Sequence, residues 1–408
     1  MTKIVDIEDI RKKREKKEIG IPIENINKKE LKRRGHEIGD ILGCDEKGEE
    51  ICVRKGKGNL YVDGNMEKEQ LFDFMRSQIY QNIQRGDSMV IVDLGSRIYK
   101  RELWIYLTIH GYRVDSYNMD CMTESDCFNC LDGLGAENEE QIVMIANDII
   151  DDQKYKFMTY PVETVCKALL SAVLLASLTE MEESDRNMLE IATIFRLGVS
   201  GTMLDKILHV MFEELDETSS AKQLFAMYSE AEEGIRMEAI QKIGNALAVY
   251  EKRANGSLCD NFRTNRYDME MPVKEKSVLF IESGQLPEDK VLFSVFMERL
   301  YDSMLKKAEE RQQDVTVMLL DYPYYGGLCG LEKYMEEGPE KGICTTLYED
   351  DRKLDGSGYA PHLVELYSLC DISVCIKDTE IPLCEIEKCE NPVTGECSKR
   401  KDGLCYYP

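Results

Sequence analysis

Short apolar runs rich in β-branched residues alternate with helical periodicities along most of the chain. The first run, Asn59-Leu60-Tyr61-Val62-Asp63-Gly64, precedes a stretch in which Leu71, Phe72, Met75, Ile79 and Ile83 recur at helical spacing. The segment MVIVDLG (Met89 to Gly95) predicts a second strand and YRVDSYNM (Tyr112 to Met119) a third, with a helix near Tyr99 to His110 between them. Strands alternating with helices imply βαβ units and a parallel sheet covered on both faces. The rhythm then breaks. From about residue 138 to residue 254 only apolar helical stretches occur, among them TVCKALLSAVLLASL, LEIATIFRL and LDKILHVMFEEL. Strand runs resume with SVLFIE from Ser277, VTVMLLD from Val315, ICTTLYE from Ile343 and DISVCIK from Asp371, and an amphipathic helix over about 290–310 connects the first two. The pattern predicts an α/β fold with a doubly wound, mostly parallel sheet over residues 56–137 and 262–380, interrupted by an all-α domain over 138–261. A charged arm (1–55) precedes it and a Cys-rich tail (381–408) follows.

Composition fits a folded chain with an unusual surface. Of 408 residues, 43% are hydrophobic, enough to fill the cores of two domains. Acidic residues number 77 against 52 basic ones, a net charge of −25, which opposes sequence-independent binding to nucleic acid through the bulk surface. Local basic runs, Arg11 to Arg14 and Lys32 to Arg34, are interleaved with acids and read as a frayed helical arm or a weak contact for phosphates or an acidic partner. The first residues lack the apolar core of a secretory signal. The most apolar stretch, Ala168 to Leu178, falls short of the ~20 residues of a membrane span. Cysteines dispersed singly, such as Cys166, Cys344, Cys370 and Cys375, then read as reduced thiols of a cytoplasmic protein.

Few chemistry-bearing constellations survive scrutiny. His36, His110, His209 and His362 are scattered, which gives no support to a His-centred triad or a zinc hydrolase. Cys121, Cys127 and Cys130 form C-x5-C-x2-C without a fourth local ligand and read as an ordinary loop. The tail is richer: Cys384, Cys389, Cys397 and Cys405 stand as C-x4-C-x7-C-x7-C, separated by the turn formers NPVTG and KDG. Four thiolates so spaced can close a tetrahedral zinc site or hold an iron–sulfur cluster, and so short a tail needs such a staple to be ordered. The alternative is an unstructured tail with reduced thiols.

The order of elements resembles the TraG/VirD-type coupling proteins of conjugative type IV secretion, RecA-like hexameric ATPases that bring DNA–relaxase cargo to a channel. The resemblance runs from about Asn59 to Glu380. It rests on the Asn59-led strand entering the position of a phosphate loop, on VIVD ending at Asp93, and on Gly111-Tyr112, Asn118, Ser125 and Asn129. It continues in KSVLFIESGQLPED and in VTVMLLDYPYYGGLCGLEKYMEEGPEKGI. What it implies is a RecA-like P-loop NTPase fold whose helical insertion recognises cargo.

The residues expected to handle nucleotide are altered. A phosphate loop, GxxxxGK[ST], needs glycines for a tight backbone cradle, Lys for the β- and γ-phosphates and a hydroxyl for magnesium. Aligned from the Asn59 strand, this chain keeps Gly64 but has Glu69, Gln70 and Leu71 at the second Gly, the Lys and the Ser/Thr. Lys68 is a weak substitute. Asp321 is placed to support magnesium through water, but Tyr322 stands where the family has its Glu base, and an ordinary phenol, with a pKa of about 10, is a poor base at neutral pH. Glu349 or Asp350 replaces a family Gln. Asp93 and Asp321 remain either as relics of a ligand crevice or as polar strand ends facing solvent. The reading is a degenerate coupling-protein-like component that binds cargo, other type IV secretion or relaxosome proteins, or a true coupling ATPase, with ATP and magnesium not expected and oligomerisation left open. The alternatives are an active DNA-translocating ATPase with an unconventional loop and a zinc-stapled cytosolic adaptor. If the tail binds zinc, the purified chain carries about one metal per molecule by elemental analysis, and Cys389→Ser removes it.

Overall fold

The computed structural model describes residues 41–44, 50–52, 58–64, 75, 78–83, 85–93, 98–119, 121–122, 125–151, 160–196, 201–254, 262–282, 289–320, 330–350, 366, 368–376, 400–401 and 404–405. In chain order a hairpin of β1 (Ile41–Cys44) and β2 (Glu50–Cys52) comes first, inside the segment read as a charged arm. Then follow β3 (Asn59–Gly64), β4 (Ser88–Asp93), α1 (Ile98–Ile109) and β5 (Arg113–Asn118). Helices α2 (Glu139–Asp151), α3 (Tyr160–Glu180), α4 (Met188–Arg196), α5 (Gly201–Glu213), α6 (Ser220–Ser229) and α7 (Glu233–Arg253) come next. The rest of the chain supplies α8 (Met271–Lys274), β6 (Ser277–Glu282), α9 (Asp289–Lys307), β7 (Val315–Leu320), α10 (Leu331–Glu337), β8 (Ile343–Asp350) and β9 (Cys370–Ile376). A last hairpin pairs β10 (Arg400–Lys401) with β11 (Leu404–Cys405). The chain divides into two compact units, residues 1–116, 269–282 and 301–408, and residues 117–268 with 283–300.

The first unit is built on a seven-stranded sheet with the order β5-β6-β4-β7-β8-β3-β9. The pairs β3/β8, β3/β9, β4/β6, β4/β7 and β7/β8 are all parallel. Every residue of β4 and of β6 is buried, as continuous apolar runs demand of strands covered on both faces. Leu60, Val62, Met75, Ile79, Met89, Ile91, Leu103, Leu107, Phe280, Met318 and Tyr348 form one apolar cluster, so the helical periodicity read before β4 does face the sheet. The helix α1 ends in a Schellman turn: Gly111 takes φ +78° and the Tyr112 N–H bonds to the Leu107 carbonyl at 3.0 Å. Strand β5 therefore begins one residue later than its pattern predicts, at Arg113. The buried Tyr112 instead donates its hydroxyl to the Asp87 carbonyl at 3.0 Å.

Asn59 opens β3 and is buried. Its Oδ1 accepts from the Thr345 N–H of β8 at 2.9 Å, and its Nδ2 donates to the carbonyls of Met335 in α10 and Leu369 before β9. One amide thereby ties three segments at the start of β3, the strand between β8 and the edge strand β9. Tyr301 of α9 meets the same Thr345: its ring stacks on Tyr334, centroids 4.9 Å apart, and its hydroxyl bonds to Thr345 Oγ1 at 2.8 Å.

The second unit is helical. No described residue between 119 and 276 is in a strand. Its centre is α3, whose Cys166, Leu169, Leu170, Val173 and Leu174 are buried against α2, α6 and α7. The apolar run read as too short for a membrane span is part of a 21-residue helix, and 161–180 is long and apolar enough to cross one, yet most of it is buried inside the protein. Polar ties fix α5: Asp205 accepts from Tyr228 Oη of α6 at 2.6 Å and from Arg236 Nε of α7 at 3.0 Å. Burial opposes the Asp205 charge, but the Arg236 and Tyr228 hydrogen bonds outweigh it and hold the carboxyl below its ordinary range.

The Asn59 contacts predict a measurable cost. Asn59→Ala leaves the buried Thr345 N–H, the buried Met335 carbonyl and the half-buried Leu369 carbonyl without this partner and lowers unfolding free energy by about 2–4 kcal/mol, read from urea denaturation. Asn59→Asp costs more, since it sets a carboxylate oxygen against the carbonyls of Met335 and Leu369.

Candidate functional site

In a parallel sheet the strand ends that gather at one edge form the site for ligands, and here that edge is acidic. Strand β8 lies between β3 and β7. Its Glu349 and Asp350 stand in register beside Asp63 and Gly64, the residues from which a phosphate loop would depart. On the far side of β7, Asp93 ends β4 in register with Glu282 at the end of β6. The register assembles carboxylate-bearing residues on β3, β8, β4 and β6, and sequence adds Asp321 directly after β7.

Two of these acids are taken out of solvent. Asp93 is 2% exposed and Glu282 3%, so Asp93 is no solvent-facing strand end. Glu282 is neutralised locally: Lys100 Nζ, in the first turn of α1, lies 2.9 Å from Glu282 Oε2 and donates to Ser116 Oγ of β5 at 2.8 Å. Ser116 in turn donates to Glu282 Oε2 at 3.0 Å. An ammonium, a hydroxyl and a carboxylate thus close a three-membered polar cluster across α1, β5 and β6. Reading by motif missed it, because its members are separated by up to 182 positions and each looks ordinary in its own segment. The one available signal was charge ending the otherwise apolar SVLFIE run.

Of the residues singled out from sequence, Gly64 ends β3 as expected. Glu69, Gln70, Leu71, Asp321 and Tyr322 lie outside the described residues, as do Cys384, Cys389 and Cys397. Cys405 falls in β11, its backbone paired with Arg400. Cys127 and Cys130 are buried free thiols, and burial pushes Cys130 up to about 12, which keeps it protonated at neutral pH, while Cys121 is half-buried. Among the described residues no group of three or more His, Cys, Asp and Glu side chains is placed to hold a metal ion. Asn118, Ser125 and Asn129 brace the loop after β5. The Asn118 N–H donates to Ser125 Oγ at 3.1 Å, Asn118 Oδ1 accepts from the Cys121 N–H, and Asn129 Nδ2 donates to the Arg186 carbonyl at 2.8 Å.

Removing the ammonium tests whether the Lys100 cluster is structural. Lys100→Met strands a buried carboxylate and lowers stability by about 3 kcal/mol in thermal or chemical unfolding, whereas pairing it with Glu282→Met recovers most of the loss.

Neither a family sequence model nor a curated protein sequence matches the chain. Solved structures do. The unbound monoclinic form of the bacterial conjugative coupling protein TrwBΔN70 superposes with a TM-score of 0.57 at 16% identity, covering 84% of this chain and 73% of that one. Its trigonal form with sulphate gives 0.58 at 14% identity, and plasmid coupling protein TrwB with ADP and Mg2+ gives 0.56 at 14%, each covering 84% of this chain and 75% of that one. Identities this low speak to fold alone. The architecture is that of the TrwB-type coupling proteins, a RecA-like, doubly wound parallel sheet interrupted by a helical domain.

Proposed function

We propose that this chain is a coupling-protein-like component of a type IV secretion or mobile-element system that binds cargo or partner proteins and does not hydrolyse ATP. The observation that carries the reading is the pairing of β3 with β8, which sets Glu349 and Asp350 beside Asp63 and Gly64 at the point where phosphates would be cradled. Two more acids beside that turn disfavour a polyanion, and the sequence leaving β3 offers no compensating cradle. Gln70 brings no cation, Leu71 no metal ligand and Glu69 a side chain and a charge where a glycine is needed. TrwB, which shares the fold, is seen with ADP and Mg2+ and with non-hydrolysable ATP and GTP analogues, and in this reading the difference lies in the sequence that follows β3. The helical unit is the cargo- or partner-facing part in this reading, the partners being secretion-system or relaxosome proteins or a true coupling ATPase. The chain works in the cytoplasm, and zinc, if held, staples the tail rather than serving chemistry.

Role counting sets the expected outcome. Phosphoryl transfer is catalysed by positioning and charge stabilisation, and one lost electrostatic contact costs about 2.7–4 kcal/mol of transition-state stabilisation. With Glu69, Gln70, Leu71 and Tyr322 all altered, a phosphate-release assay of the intact chain, with or without DNA, gives no magnesium-dependent turnover. Gln70→Lys alone does not revive it, which makes the combined Glu69→Gly, Gln70→Lys, Leu71→Thr and Tyr322→Glu variant the informative comparison. Turnover by the unmodified chain that Asp321→Ala abolishes overturns the proposal.

A further inference from the structure

Helix α5 is apolar on two faces. One packs inward through Leu204, Leu208 and Phe212, all buried. The other carries Met203, Ile207, Val210 and Met211 at i, i+4, i+7 and i+8, exposed by 54%, 38%, 59% and 48%. Single exposed apolar side chains are ordinary on a protein surface, but four along one helical stripe mark an interaction face. Met227 of α6, which packs against α5, is a further exposed apolar group at 49%. Three of these five side chains are methionines, whose unbranched thioethers adapt to the contour of a partner at little strain.

Charge identifies the partner's chemistry. The stripe runs into Glu213, Glu214 and Asp216, all exposed, beyond which Glu217 is ion-paired with Lys222 at 2.8 Å, and Lys206 is the one basic residue exposed between 203 and 217. A helix that offers an apolar stripe leading into carboxylates complements one with an apolar face and basic flanks, the helix-in-groove mode of recognition. The stripe is also held still. Asp205, on the inward face of the same helix, is tied to Tyr228 and to Arg236, so α5 is fixed to α6 and α7 before any partner arrives. Preorganisation of this kind lowers the entropy lost on docking.

We propose that the outer face of α5 docks a basic amphipathic helix of a partner protein. This rests on the reading of the helical unit as partner-binding and specifies the partner's chemistry. The probe is a fluorescently labelled Leu/Lys amphipathic peptide of about five helical turns, titrated against the intact chain by anisotropy beside a Leu/Glu peptide of the same pattern. The Leu/Lys peptide binds saturably and more weakly at high salt, and the Leu/Glu peptide does not bind. The double variant Val210→Ser, Met211→Ser weakens binding about tenfold, as expected for two apolar contacts, with unfolding temperature unchanged because both side chains are exposed. Glu213→Gln with Glu214→Gln also weakens it, whereas Glu336→Gln with Glu340→Gln, exposed acids of the α/β unit, does not. The proposal is overturned by equal binding of both peptides, by full binding of the double Ser variant, or by an equal effect of the two pairs of Gln substitutions. It is likewise overturned if Ile207→Lys abolishes self-association in sedimentation equilibrium, which assigns the face to a second copy, or if anionic phospholipid vesicles and not the peptide occupy it. Absence of peptide binding together with absence of ATP turnover removes this proposal and leaves the non-hydrolysing reading in place; turnover together with peptide binding does the reverse.

Discussion

A sheet whose strands all run one way imposes two conditions. Both faces must be covered, and each return to a neighbouring strand needs a crossover instead of a tight turn. The continuous burial of β4 and β6 meets the first condition. The second leaves strand order open, and the placement of β8 between β3 and β7 decides which strand ends become neighbours at the carboxyl edge. Register then sets which residues are paired there: Asp63 with Glu349, Gly64 with Asp350 and Asp93 with Glu282. One architecture can in this way carry different residues at its carboxyl edge, because register fixes which positions meet and not what stands at them.

Strands were the most legible feature of the sequence, because residues buried on both faces must be apolar without interruption. MVIV, SVLFI and VMLL announce themselves in this way. The helical block was legible for the complementary reason, its apolar residues recurring with a helical period. Asn59 was legible only by resemblance, and its purpose lies in contacts with residues 276 and 310 positions away. The first hairpin was not anticipated, since Ile41–Cys44 and Glu50–Cys52 are short strands embedded in charge. The helical stretch read over residues 164–178 is shorter than α3 because the ends of the helix, Tyr160–Glu163 and Thr179–Glu180, carry Pro, Glu and Thr and do not register as an apolar run.

The candidate site was legible at its edges and opaque at its centre. Gly64 and Asp93 could be placed because each ends an apolar run. The burial of Asp93 could not be read, because a carboxylate at a strand end looks the same whether solvent or a neighbouring strand lies beside it. The cluster of Lys100, Ser116 and Glu282 shows the general difficulty: a buried charge is recognisable only once its counter-ion is known, and the counter-ion is a tertiary fact. The clamp on Asp205 is partly local by comparison, since His209 stands four residues along the same helix, although the Tyr228 and Arg236 contacts again needed the fold.

The helical block also has a meaning in chain connectivity. Strands β5 and β6 are neighbours in the sheet, yet residues 119–276 separate them in sequence. The block is therefore the wiring between two adjacent strands and not an ornament on a loop. Joining residue 118 directly to residue 277 would not excise a domain cleanly. The two run the same way, Arg113 bonding to Lys276 at their starts and Ser116 to Glu282 towards their ends; a parallel pair leaves one strand at the opposite edge from where the next begins, and a join needs roughly a dozen residues to make that return. Gradual loss of the block by successive short deletions would at some point leave β5 unable to reach its place, even with every residue of the sheet intact. Change by substitution on the outer surfaces of its helices is free of that obstacle, so this topology channels divergence of the block into its surface chemistry and away from its length.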